Sequence, residues 1–148
     1  MKPRMTLILT CIVVTLIMTG IVSSACKPSA GKFTFQTSSN ATVGTYLVDS
    51  QKMTVYYSTA DTKGKSNIPA ALKSIWPSVS ATSVTVSQDL SLNDFSKTLA
   101  GYGANNNQVT YKGWPLYYYT GDKSPGDIKG NGIAGFSVVV PSKISPAP

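Results

Sequence analysis

Two Tyr-rich stretches that lie 61 positions apart constrain the fold of this chain more than any other feature. Sliding the sequence by that offset places Tyr56 on Tyr117 and Asp61 on Asp122. The same offset aligns several neighbouring residues, namely Val48 with Val109, Val55 with Leu116, Tyr57 with Tyr118, and Thr59 with Thr120. Two copies of one folding unit are therefore predicted, the first at about 44–80 and the second at about 105–141.

Each repeat is predicted to centre on a β-hairpin. In the first repeat, two β-prone runs within residues 44–61 flank a polar turn at 49–52. In the second, strands at 109–111 and 114–120 flank Lys112-Gly113. Three more strands are expected from apolar alternation or a buried apolar run, at 32–37, 82–88 and 135–141.

A short helix is predicted at about 67–76. Pro69 suits a first helical position after an Asn67 cap, and Pro77 would end the helix. The apolar residues Ile68, Leu72 and Ile75 would then share one face, with Trp76 as a core anchor. The fold class is thus mainly β: a small antiparallel β domain built from two hairpin-centred repeats, with one short helix.

The N-terminal segment, residues 1–25, is typical of a secretory signal peptide. Lys2 and Arg4 precede a long uncharged apolar run, and the small residues 23–25 follow it. An uncleaved membrane anchor is the alternative, because the run approaches the ~20 residues that span a bilayer. Residues 26–43 are expected to be a tether with a possible first strand, residues 44–141 the two-repeat domain, and residues 142–148 a tail.

Cys26 is the predicted lipidation site, because a Cys directly after the small residues of a signal peptide is where lipoproteins are cut and acylated. Two acyl chains on Cys26 would give a stable membrane anchor. Ordinary cleavage after Ala25 would instead leave a free terminal Cys. The expected location is the extracytoplasmic face of the membrane, or secretion.

The composition beyond residue 25 excludes several classes of site. This part has no His, Glu or Arg and no Cys other than Cys26, which excludes an internal disulfide, His or Cys zinc sites and Ser-His-Asp triads. Without Lys2 and Arg4, the 13 cations become 11 Lys against six Asp, a net charge of +5. The Lys are scattered, so no nucleic-acid partner is predicted. No cofactor or metal is predicted either.

The aromatic residues Trp114, Tyr117 and Tyr119 are the candidate ligand-binding residues. Strand alternation directs Tyr117 and Tyr119 to one face and Tyr118 to the other. These rings either pack in the sheet core or form a platform for sugar rings. The loop 121–132 offers Asp122 and Asp127, which are expected to accept backbone N–H groups in turns rather than bind calcium.

The run Tyr117-Tyr118-Tyr119-Thr120-Gly121-Asp122 resembles the Tyr-x-aromatic-x-x-Asp motif of a secreted-repeat, predicted-lipoprotein family of bacteria and archaea. Tyr117, Tyr119 and Asp122 are the motif residues, and Tyr56 and Asp61 are their first-repeat counterparts. The first repeat departs from the motif, since Ser58 replaces its aromatic residue. Members often carry two Cys where Ile68 and Leu72 stand here, which suggests that packing replaces a disulfide.

The resemblance implies a surface lipoprotein, and it supplies no catalytic residue and no established biochemical function. An exported, lipid-anchored cell-envelope protein is therefore predicted, acting as a non-enzymatic structural or interaction module. Its expected partners are the membrane, through the lipid anchor, and an envelope polymer or another surface protein. The alternatives are carbohydrate or cell-wall polymer binding through surface aromatics and, less favoured, an Asp-dependent enzyme.

Overall fold

A computed structural model describes residues 32–97 and 107–148. The predicted signal peptide, Cys26 and residues 98–106 lie outside the described residues. The strands are β1 (Lys32–Asn40), β2 (Gly44–Asp49), β3 (Tyr56–Ser58), β4 (Ser83–Val86), β5 (Phe95–Lys97), β6 (Val109–Tyr111), β7 (Trp114–Pro115) and β8 (Phe136–Val138). Two isolated 3₁₀ turns, Ala70–Leu72 and Leu92–Asp94, are the helical elements of the described part. The predicted mainly β fold is confirmed.

One sheet has the order β2-β1-β4. β1 and β2 form an antiparallel hairpin, whose tip is closed by Asn40 Oδ1 accepting the N–H groups of Thr42 and Val43, each at 3.0 Å. β4 lies parallel to β1 on its other side, so this sheet is mixed rather than purely antiparallel. The strand predicted at 32–37 thus extends to Asn40, because the hairpin continues its ladder.

The remaining strands form a three-stranded sheet of order β5-β6-β7 and a two-stranded sheet, β3-β8. β6 and β7 form the hairpin predicted for the second repeat. Its turn places Lys112 at φ 48° and Gly113 at φ 88°, the left-handed conformations of a tight two-residue hairpin. In the first repeat, the predicted hairpin is reduced to a single bridge between Val48 of β2 and Thr54, which precedes β3, because β3 pairs with the second repeat instead.

The two repeats interlock, since the last extended segment of each pairs with the Tyr-bearing segment of the other. β3 pairs with β8, with Ser58 opposite Phe136. In the symmetry-related place, Tyr117 of the second repeat forms a bridge with Ser78 of the first. Between the two, the backbones of Tyr56 and Tyr117 exchange N–H to C=O hydrogen bonds, both at 2.9 Å. This exchange makes the repeats approximate two-fold partners.

Further backbone hydrogen bonds extend this two-fold relation along both strands. The Val79 N–H donates to the Leu116 carbonyl at 2.9 Å, and the equivalent Val139 N–H donates to the Val55 carbonyl at 3.1 Å. Equivalent residues at this end of the repeats are 60 positions apart, one fewer than in the Tyr-rich stretches. Further out, the N–H of Thr120 donates to the Ile75 carbonyl at 3.0 Å. The equivalent bond, from Thr59 to Gly135, is 3.1 Å long.

Two hydrophobic clusters lie on opposite sides of the central strands. The first contains Phe35, Leu47, Val55, Val79, Ala81, Phe95, Val109, Tyr111, Leu116, Val139 and Ile144. The second contains Tyr46, Val48, Tyr56, Ile68, Trp76, Tyr117, Phe136 and Val138. Tyr119 packs against the second cluster and Tyr118 against the first, as strand alternation predicts.

The helix predicted at 67–76 is wrong: this segment contains one 3₁₀ turn, Ala70–Leu72. Pro69 is extended (ψ 148°) and precedes the turn. The backbone N–H of Asn67 is held by the Asp61 carboxylate at 2.7 Å, and the chain must be extended again by Ser78 to pair with Tyr117. Between those two points the chain forms a single tight turn, closed by N–H to C=O bonds from Leu72 to Pro69 and from Lys73 to Ala70.

The predicted apolar contacts of this segment agree with the structure for three of its four residues. Trp76 is 1% exposed and lies in the second cluster with buried Ile68, and Leu72 packs against them. The prediction is wrong for Ile75, which does not share their face and is 42% exposed, because the segment is not helical. The two positions that carry Cys in the similar family thus contribute to apolar packing here.

Residues 142–148 pack against the β6-β7 turn. Ile144 and Ala147 are buried, and the Ala147 N–H donates to the Lys112 carbonyl at 2.9 Å. The indole N–H of Trp114 donates to the Ser145 carbonyl at 2.8 Å. Across residues 32–97 and 107–148, no helix has the length and apolarity that crossing a membrane requires.

Candidate functional site

The motif residues of the two repeats bind each other across the two-fold relation. The hydroxyl of Tyr56, in the first repeat, donates to Asp122 Oδ2 of the second repeat at 2.7 Å. Reciprocally, the hydroxyl of Tyr117 donates to Asp61 Oδ2 at 2.7 Å. We call these two contacts the reciprocal Tyr-Asp pairs. Each motif therefore completes its hydrogen bonding only with the other repeat.

The second oxygen of each carboxylate fixes the loop that follows it. Asp61 Oδ1 accepts the backbone N–H of Asn67 at 2.7 Å. Asp122 Oδ1 accepts the backbone N–H of Lys129 at 3.0 Å. Each Asp thus joins its own loop to the Tyr of the opposite repeat, which explains why a Tyr and an Asp recur together in both copies.

Each Tyr hydroxyl also has a second contact from the loop of the opposite repeat. The Gly130 N–H donates to the Tyr56 hydroxyl oxygen at 3.3 Å. The Tyr117 hydroxyl lies 2.7 Å from Ser66 Oγ. Both phenols are therefore held on two sides by polar groups of the other repeat.

The four side chains are almost entirely shielded from solvent: Tyr56 and Tyr117 are 0% exposed, Asp61 2% and Asp122 7%. Burial raises the pKa of both phenols far above the usual range, so they remain protonated donors. Burial also raises the pKa of Asp61 and Asp122, and the N–H and phenol donors oppose that rise. Neither Asp forms an ion pair with a Lys of the described part.

An aromatic stack lies beside these pairs, near the approximate two-fold. Trp76 and Phe136 occupy equivalent positions in the two repeats, and their rings stack with centroids 3.8 Å apart and planes at 4°. Tyr56 and Tyr117 approach this stack edge-on, at 5.4 Å from Trp76 and 5.3 Å from Phe136. Edge-to-face and stacked arrangements favour the ring quadrupoles, so the stack stabilises the contact between repeats.

The structure separates the three candidate ligand-binding aromatics. Tyr117 is buried, so its ring is not available at the surface. Tyr119 is half-buried and packs against Trp76, with centroids 4.6 Å apart. Trp114 is half-buried on the side of the first cluster, 5.2 Å from Tyr57. The three rings do not form one platform.

Sequence patterns did not identify a third Tyr-Asp contact. The Tyr118 hydroxyl donates to Asp49 Oδ2 at 2.8 Å, while Asp49 Oδ1 accepts the N–H groups of Gln51 and Met53. This contact again joins the repeats. The sequence indicates that Asp49 begins the predicted 49–52 turn, but it does not indicate that Tyr118 is the residue that binds this Asp.

The polar loop after Asp122 contains the turns expected from its Asp residues. Asp127 Oδ2 accepts the backbone N–H groups of Lys123 and Ser124 and the ammonium of Lys129. The Lys129 ammonium is the main cause that lowers the pKa of Asp127, to about 2. Within the described ranges, no three His, Cys, Asp or Glu residues are grouped so as to hold a metal ion.

No curated protein and no solved structure matches the chain. The second repeat does match a known family, over a segment that includes Tyr117, Tyr119, Asp122 and the start of β8. Residues 106–137 match the model of a family described as a secreted repeat of unknown function, which confirms the predicted family resemblance for this part of the chain.

Proposed function

We propose that this chain is an exported cell-envelope protein, anchored by acylation of Cys26, whose folded part is a non-enzymatic structural or interaction module. The match to a family of secreted repeats supports export. The positively charged and apolar N-terminal segment, followed by small residues and Cys26, supports the anchor.

The observation that carries the non-enzymatic role is the internal use of the motif. All four motif side chains in the reciprocal Tyr-Asp pairs face each other at 2.7 Å and are buried. A catalytic group must come within hydrogen-bond reach of a substrate proton. Buried groups that already bind each other are better suited to joining two repeats.

Asp122→Asn tests this role against Asp-dependent catalysis. If the motif joins the repeats, the substitution lowers the free energy of unfolding, measured by urea denaturation. An enzyme would instead lose turnover while its unfolding curve stayed unchanged. An unaltered unfolding midpoint in Asp122→Asn would therefore argue against the proposed role.

Mass spectrometry of the mature N-terminus tests the anchor. We expect a diacylated Cys26 in the membrane fraction, and Cys26→Ser should release the protein into the soluble fraction. A mature protein that begins at another residue, or one that carries an unmodified Cys26, would contradict acylation.

Binding to a carbohydrate or envelope polymer is a second candidate function, favoured by the partial exposure of Trp114 and Tyr119. Tyr119→Ala should then weaken retention on immobilised cell-wall polysaccharide without changing the melting temperature. Trp114→Ala tests the second candidate ring, which lies on the side of the first cluster, in the same assay. A large loss of stability in Tyr119→Ala, about 3–5 kcal/mol, would instead assign that ring to core packing.

A further inference from the structure

We propose that the surface joining the two repeats also binds the complementary repeat of a second copy of this chain, giving a dimer by exchange of repeats. In that dimer, the first repeat of one copy pairs with the second repeat of the other. The reciprocal Tyr-Asp pairs then form twice, each time between copies. The partner is thus a second copy of this chain, because within one chain this surface already binds the complementary repeat.

The contacts across this surface are complete without the covalent connection between the repeats. They include the β3-β8 ladder, the backbone exchange between Tyr56 and Tyr117, the reciprocal Tyr-Asp pairs, and the stack of Trp76 on Phe136. The same atoms meet when the second repeat comes from another copy. Exchange of an identical element between protomers is a low-cost route to a dimer for this reason.

The connection between the two halves is short, and it is held by local turns and by hydrogen bonds to β1 and to Lys112. β4 belongs to the first half because it pairs with β1, and β5 belongs to the second because it pairs with β6. Residues 87–94 join them through two tight turns, closed by N–H to C=O bonds from Leu90 to Ser87 and from Asp94 to Ser91. Eight extended residues span up to about 26–29 Å.

Opening these two turns converts the connection into a bridge between two copies. Leu92 is 52% exposed, but Leu90 packs against the first cluster, so we expect exchange to take place during folding, before the contacts of this segment have formed. Within one chain the halves meet at an effective concentration in the millimolar range, which favours the closed monomer in dilute solution. Exchange should therefore grow with protein concentration during folding.

A disulfide between positions 75 and 120 would show whether two paired repeats belong to one chain or to two. Ile75 and Thr120 lie opposite each other across the repeats, with the Thr120 N–H donating to the Ile75 carbonyl at 3.0 Å, and both are exposed. These two residues share one backbone bond and continue the register of the Tyr117-Ser78 bridge. Opposed residues in an antiparallel ladder have Cα atoms about 4.5–5.5 Å apart, which is within the range of a disulfide. Cys residues at these positions should therefore pair.

The experiment combines two full-length chains in a Cys11→Ser, Cys26→Ser background, one with Ile75→Cys and the other with Thr120→Cys. They are unfolded together, refolded at concentrations up to about 1 mM, and oxidised. We expect a disulfide-linked dimer joined between positions 75 and 120 by peptide mapping, with a yield that rises with concentration. A mixture of Ile75→Cys with Ala41→Cys, at the β1-β2 tip, measures random cross-linking.

The double variant Ile75→Cys/Thr120→Cys in one chain, refolded when dilute, checks the geometry by closing its disulfide within the monomer. If it closes but the mixed chains give no more dimer than the Ala41→Cys control, exchange between copies is refuted. If the double variant does not close, the strand pairing on which the proposal rests is absent, and the proposal fails with it.

Discussion

Replacing Tyr56 with Phe tests how strongly one reciprocal Tyr-Asp pair joins the repeats. The change removes only the hydroxyl, which donates to Asp122 Oδ2 at 2.7 Å and accepts the Gly130 N–H at 3.3 Å. The ring keeps its edge-on contact with Trp76. Asp122 then loses a donor at a site that water hardly reaches.

The expected loss is about 2–3 kcal/mol of unfolding free energy, because a hydrogen bond to a charged group contributes about 1.5–3 kcal/mol and the Gly130 N–H also loses its acceptor. For a domain of this size, that corresponds to a fall in melting temperature of roughly 10 °C. Urea unfolding at pH 7, followed by Trp fluorescence and linear extrapolation, measures the change.

Tyr57→Phe is the matched control. Tyr57 is the next residue along β3, and its hydroxyl has no hydrogen bond to residues 32–97 or 107–148. Its removal should change stability by less than about 0.5 kcal/mol. If Tyr56→Phe has an equally small effect, the phenol does not hold Asp122, and the structural account of the motif is refuted.

The penalty should also depend on pH. The Tyr56 phenol opposes the raised pKa of Asp122 by stabilising its charged form, so Tyr56→Phe should raise that pKa further. The loss of stability is then largest where Asp122 is ionised and shrinks as the pH falls and the carboxyl becomes protonated. A penalty that stays constant between pH 7 and pH 4 would contradict this coupling.

Three further results are expected. Asp61→Asn should cost about 1–3 kcal/mol in urea unfolding, because the Tyr117 hydroxyl and the Asn67 N–H donate to different carboxylate oxygens, and the amide has an NH2 group in place of one of them. Asp89→Asn, at an exposed carboxylate that accepts the Thr37 and Ser87 hydroxyls, serves as its control. Because burial raises the pKa of Asp61 and Asp122 above the unfolded value, their contribution to stability is present below that value and is lost as the pH rises through the folded pKa. The wild type should therefore gain stability relative to the Asp61→Asn/Asp122→Asn variant as the pH falls from 7 toward the unfolded pKa of Asp. Gly130→Ala should lower the free energy of unfolding by about 1–3 kcal/mol, since a Cβ there would lie 2.7 Å from Trp76 Cη2. A melting temperature equal to that of the wild type would show that the Trp76 ring moves aside without loss of stability.

The repeat and most strands could be predicted from sequence, because alternation and the 61-residue offset are properties of the chain itself. The faces of Tyr117, Tyr118 and Tyr119 follow from the same periodicity. The pairing of each Tyr with the Asp of the other repeat could not be predicted, because an offset relates equivalent residues and does not say which residues are in contact. The failed helix has a related cause: Asp61 and the strand partner of Ser78 fix its two ends, and neither contact is visible locally.

The reciprocal Tyr-Asp pairs also bear on how the two repeats can change over evolutionary time. A duplicated segment usually leaves one copy free to drift, since the other copy retains the original contacts. Here a substitution at Asp122 acts on Tyr56, 66 positions away in the chain, and a substitution at Asp61 acts on Tyr117. Each copy therefore constrains the other. Divergence should be accepted at positions such as Ser58, which lies outside the pairs, and resisted at the four pair residues in both copies.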